Sequence, residues 1–128
     1  MNSLTFLAVA SGGAIGATMR LLINASVNKT FIHALPLGTL AVNLIGSLLI
    51  GMLFAYFHIN TTLSPYFKTF MVTGILGAFT TYSTFAIESF FLLEAGQYTQ
   101  AFANMAFNLF GTILFAGMGY IIILHFTK

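Results

Sequence analysis

The chain has 128 residues, of which 59% are hydrophobic and only 5% charged. Soluble domains carry about a quarter charged residues, so this composition excludes a soluble globular fold and indicates a small membrane protein with several crossings. A formal charge of +2, from Arg20, Lys29, Lys68 and Lys128 against Glu88 and Glu94, is too thin for nucleic-acid binding. The absence of cysteine removes disulfides, thiolate metal sites and thiol catalysis.

Four apolar segments can be cut at the turn signals: Leu4 to Ile23, Leu37 to Phe57, Phe67 to Leu93, and Ala101 to Phe126. The connections, Asn24 to Pro36, His58 to Pro65 and Glu94 to Gln100, are rich in Asn, Thr, Ser, Gly or Pro. The expected architecture is an all-α membrane protein with four transmembrane helices, one domain over residues 1–128, and both termini on one side. No basic residue precedes the first segment and no cleavage motif follows it, so it does not read as a cleavable signal. Lys68 and Lys128 fall on one side of the membrane, Lys29 and Arg20 on the other, so the charge bias that sets orientation is nearly balanced. Such a chain can insert both ways and pair as an antiparallel dimer, or take one orientation fixed by something other than charge.

The first segment carries Gly12, Gly16 and Arg20 at i, i+4 and i+8, a small-xxx-small face that lets another helix approach closely. Arg20, one turn beyond, either snorkels to the headgroups or stands in a water-filled vestibule that attracts anions. The second segment places Thr39, Asn43 and Ser47 on one face. The fourth places Asn104, Asn108 and Thr112 at the same spacing, so both offer amide and hydroxyl donors within a membrane. These donors are either interhelical glue, worth about 0.6 kcal/mol per bond, or the walls of a polar pathway, which two parallel tracks favour.

The third segment, Tyr66 to Glu94 at its widest, is too long for one straight crossing of roughly 20 residues. At its middle, Gly74-Ile-Leu-Gly77-Ala-Phe-Thr80-Thr81-Tyr82-Ser83-Thr84-Phe85 sets two glycines and a hydroxyl cluster where a lipid-facing helix carries leucines. Glycine permits unusual backbone angles, and hydroxyls can satisfy freed carbonyls. The segment is thus read as a helix broken in mid-membrane, with a kinked but continuous helix as the alternative. Beyond the break, Tyr82 and Phe85 share a face, and Thr81, Thr84 and Glu88 form an adjoining polar stripe. The positive edge of an aromatic ring can meet an anion, and an intramembrane acid such as Glu88 is a functional suspect. His33, His58 and His125 lie near segment ends at no ligand-like spacing, and there is no nucleophile–base pair or dinucleotide fingerprint. No enzyme is indicated.

The third-segment run, together with Gly38-Thr39-Leu40-Ala41-Val42-Asn43 and Gly12-Gly13-Ala14-Ile15-Gly16-Ala17-Thr18-Met19-Arg20, resembles the Fluc (CrcB) fluoride channels of microbes over nearly the whole chain. The resemblance implies a fluoride-selective channel that exports the toxic anion from the cytoplasm by passive electrodiffusion. It also implies an antiparallel, dual-topology homodimer with two pores in the plasma membrane, which in bacteria is the inner membrane. A structural sodium ion is implied at the dimer centre, held by backbone carbonyls at positions that fall on Gly77 and Thr80. The family's pore asparagine falls on Asn43, its vestibule arginine on Arg20, its fourth-helix track on Asn104, Asn108 and Thr112, and its supporting glutamate on Glu88. Its paired phenylalanines fall on Tyr82 and Phe85, and the Ser83 and Thr84 hydroxyls join the fluoride pathway. Tyr82 stands where the family has phenylalanine, and the fourth-helix asparagines where it has hydroxyl residues. A small four-helix multidrug exporter is the rival in the coupled-transporter class, but its key acid belongs deep in the first helix, which has none. A purely structural membrane subunit would leave the donor tracks superfluous.

Overall fold

The computed structural model describes residues 1–31 and 35–128. Within them the chain is helical, with four runs long and apolar enough to cross a membrane: Ser3–Thr30, Leu37–Ile59, Pro65–Glu94 and Tyr98–Phe126. The protein is thus a multi-pass, four-helix membrane protein. His33, to which the sequence assigned no metal, lies outside the described residues.

The first helix is capped by Asn2, whose side chain accepts the Thr5 N–H at 3.1 Å. It continues past the predicted end at Ile23 to Thr30. Asn24 and Asn28, read from sequence as a loop, stand one turn apart and bond each other instead, with Asn28 Nδ2 donating to Asn24 Oδ1 at 2.7 Å. Asn28 Oδ1 then accepts the Gly38 N–H at 3.0 Å, tying this stem to the start of the second helix.

The third run begins at Pro65, where a missing N–H costs nothing. It widens to π-helical winding over Phe70–Leu76 and returns to α over Gly77–Phe79. At Thr80 (φ −84°, ψ 157°) and Thr81 (φ −149°, ψ 114°) the backbone is extended. Helix resumes over Tyr82–Glu94 with Thr81 as its N-cap, the Oγ1 accepting the Thr84 N–H at 3.3 Å. The two glycines did not supply the break: Gly77 keeps helical angles (φ −62°, ψ −36°) and Gly74 is wound. The run ends at Gly96, φ +74°, with Gly96 N–H to Leu93 C=O (3.0 Å) and Gln97 N–H to Leu92 C=O (2.8 Å). Glycine tolerates the left-handed geometry that this paired-bond stop requires. The fourth run carries a second π-wound stretch, Phe107–Gly111.

The predicted glycine face of the first helix packs on the leading half of the third run. A Cβ on Gly12 would lie 2.9 Å from Gly74 Cα, and one on Gly16 would fall on the Ile75 carbonyl. The second and fourth helices approach as closely, Gly51 against the Ala116 carbonyl and Gly119 against that of Leu48. Lipid tails give no hydrophobic drive between helices, so such close approach supplies the packing attraction instead. Val42, Leu76 and Phe79 form the buried apolar centre, with Ile23, Ile50, Leu53 and Ile75 against it. The interruption sits directly beside that centre.

Candidate functional site

In a continuous helix the Thr81 N–H would bond the Gly77 carbonyl; here it donates to Asn43 Oδ1 at 2.8 Å. Asn43 Nδ2 returns a bond to the Thr81 carbonyl at 3.1 Å and donates a second to Asn108 Oδ1 at 2.9 Å. Asn108 Nδ2 in turn donates to the Asn104 carbonyl (2.9 Å) and to Asn104 Oδ1 (3.1 Å). Asn104 Nδ2 closes the series on Ser89 Oγ at 3.0 Å. The backbone N–H at the break can only donate and the Asn104 carbonyl can only accept, so these two groups fix the orientation of every carboxamide between them. All three asparagines and Ser89 are buried. The series fastens the trailing half of the third run to the second and fourth helices at two points, Thr81 and Ser89.

A cleft of about 430 Å³ opens beside the break. Of the predicted site residues, Asn43, Gly77, Thr80, Tyr82, Phe85, Asn108 and Thr112 line it, so the structure brings all three donor-bearing helices to one cavity. Tyr82 and Phe85 meet edge to face, ring centroids 5.3 Å apart at 71°. Ser83, Thr84, Arg20, Glu88 and Asn104 are not among its lining residues. Thr84 joins it indirectly, through the Thr81 hydroxyl that donates to Thr84 Oγ1 at 2.8 Å. Arg20 is half-buried on the first helix and has no carboxylate partner among the described residues. Glu88 Oε1 accepts the Thr39 hydroxyl at 2.8 Å, while its Oε2 is buried without a partner among the described residues. Carboxylate and hydroxyl thus join the third run to the second helix a second time.

Sequence reasoning put Ser47 and Thr81 on polar faces without assigning them to the site, and did not assign Ser89 to it either. Ser47 was visible through its i+4 spacing from Asn43. Thr81 acts through its backbone, which side-chain patterns do not signal. Among the described residues no cluster of histidines or acids could hold a metal. Gly77 and Thr80 both line the cleft.

Residues 7–120 match the sequence model of the family described as CrcB-like protein, Camphor Resistance (CrcB). A protein of Sulfurimonas denitrificans named "Fluoride-specific ion channel FluC" is 51% identical over 123 residues, covering 96% of this chain and 95% of its own. One of Nautilia profundicola with the same name is 47% identical over 116 residues, 91% of each chain. A third, from Chromohalobacter salexigens, is 43% identical over 116 residues, 91% of this chain and 87% of its own. On a family match that takes in all four helices and the cleft between them, this chain belongs to the CrcB-like protein family.

Proposed function

We propose that the protein is a fluoride-selective ion channel that lets cytoplasmic fluoride leave a bacterial cell across the inner membrane by passive electrodiffusion. The observation that carries the reading is the cleft at Thr80–Thr81, which aromatic residues and polar groups from three helices line together. The name shared by relatives at 43–51% identity supports the choice of anion. Fluoride is small and holds its water tightly, so it enters a low-dielectric passage only where protein donors replace that water in several weak steps.

In this reading the break lies in mid-membrane, and a second copy inserted the other way up closes the laterally open cleft, giving an antiparallel homodimer with two pores. Arg20 draws the anion into a vestibule. Asn43 and Asn108 wall the passage, and Tyr82 and Phe85 turn positive ring edges to it. Ser83, Thr84, Asn104 and Thr112 continue the polar surface, and Glu88 braces it through Thr39. The carbonyls of Gly77 and Thr80 fit a structural sodium ion, because the N–H that would cap Gly77 has gone to Asn43. When bound, such an ion would supply a fixed positive charge between the two copies. A negative cytoplasm moves the anion outward with about 2.3 kcal/mol per 100 mV for each charge, so neither ATP nor a proton gradient is required.

Purified protein in fluoride-loaded vesicles tests this. With potassium and valinomycin to balance charge, fluoride should leave rapidly without a pH gradient while chloride is retained. Efflux that appears only with an imposed pH gradient would make the protein an exchanger, and no efflux would leave it a structural subunit.

A further inference from the structure

Resting on the channel reading, we infer that Ser47, and not Asn43, supplies the second helix's hydrogen-bond donor to the passing anion. The polar groups of the cleft differ in whether their protons are free. Both N–H groups of Asn43 are engaged, one by the Thr81 carbonyl and one by Asn108. Both N–H groups of Asn108 go to Asn104. The Thr80 hydroxyl donates to the Leu76 carbonyl at 3.0 Å and that of Thr81 to Thr84. Thr112 gives its proton to the Asn108 carbonyl one turn back. An anion reaching these groups meets oxygens, or donors that must first abandon a buried partner.

Ser47 differs from them. A serine or threonine within a helix commonly returns its proton to the carbonyl one turn back, as Ser11, Thr18 and Thr30 do here. The Ser47 hydroxyl makes no hydrogen bond to any described residue, yet it is half-buried and lines the cleft. Next to it, Gly46 has no side chain to hold the third run away: a Cβ there would fall on Thr80 Cγ2. Ser47 thus shares the cleft with Thr80 and Thr81 of the interruption and carries a proton that rotates freely about one bond. The other cleft hydroxyl with a free proton, Tyr82, is 80% exposed. Ser47 is the interior one. A neutral, unengaged O–H can meet fluoride by a charge-assisted bond and release it without breaking any internal bond, as conduction through weak sites requires.

The test compares Ser47→Ala and Ser47→Thr with the unaltered protein in the vesicle assay, each checked for its elution volume and melting midpoint in detergent. Ser47→Ala should lower fluoride flux roughly tenfold or more, as expected for a lost hydrogen bond to a charged group, with folding readouts unchanged. It should also raise the fluoride concentration needed for half-maximal flux. Ser47→Thr, which keeps the hydroxyl, should restore flux to within a few-fold. Wild-type flux in Ser47→Ala, or equal loss in both variants, overturns the assignment while leaving the channel intact. If the unaltered protein itself passes no fluoride, the channel reading has failed, and this inference falls with it.

Discussion

At Asn43 one carboxamide satisfies both the N–H and the C=O that the broken backbone exposes at Thr81. Leaving either buried group without a partner costs about 1–3 kcal/mol, so Asn43→Ala should lower the melting midpoint in detergent and reduce fluoride flux, with the protein still folded. Asn43→Asp should conduct less than Asn43→Ala. A carboxylate still accepts the Thr81 N–H but has no proton for the Thr81 carbonyl or Asn108, and it sets a negative charge beside the anion's route. Flux measured side by side in vesicles checks the order, and equal or higher flux in the aspartate variant would contradict it. The importance of Asn43 was legible from its face shared with Thr39 and Ser47, because helical spacing predicts direction. Its partner was not: spacing marks a side chain as a donor without showing whether that donor is already taken.

Helix against helix, the glycines separate contact from filler. A methyl on Gly16 falls on the Ile75 backbone, which cannot yield as a flexible side chain does, whereas a methyl on Gly13 meets nothing within 4 Å. Gly16→Ala should therefore cost about 1–3 kcal/mol by overpacking. Gly13→Ala should be neutral or gain up to about 1 kcal/mol of helix propensity. Melting midpoints of the two variants in one detergent settle the comparison; similar values would mean that the first helix and the third run are less tightly apposed. Here the small-residue pattern predicted the contact correctly, since it reports how close two backbones can come. It misplaced the end of the first helix, because Asn24 and Asn28 have the composition of a loop and gain helical standing only by bonding each other and Gly38. The interruption of the third run was also only half legible. Glycine at Gly77 suggested where the chain can bend, but extended angles came at Thr80 and Thr81, where Asn43 replaces the lost helical partner. The π-wound stretches depend on tertiary packing and left no signal in residue spacing.

Across the molecule, large apolar side chains from Leu4 to Phe126 stay exposed, the surface of a chain solvated by lipid tails or by another copy. Four crossings put both ends on one side, and with no native cysteine a single introduced thiol reports orientation cleanly. In intact cells, Thr127→Cys should react with a membrane-impermeant maleimide to about half of the total if charge leaves insertion undecided. Complete or absent labelling would mean one orientation and would remove the antiparallel dimer. The membrane class and helix count followed directly from composition, whereas assembly depends on a surface that one sequence cannot show being covered. The first helix, at 28 residues, is about 42 Å long at roughly 1.5 Å per residue, against a hydrocarbon layer of roughly 30 Å. Its surplus is the Asn24–Asn28 stem, in which Asn28 bonds both Asn24 and the Gly38 N–H. Lys29 in the last turn of that helix must keep its ammonium at the headgroups, so a thicker bilayer can take up only the turns before it, and this charge sets how far the first helix slides.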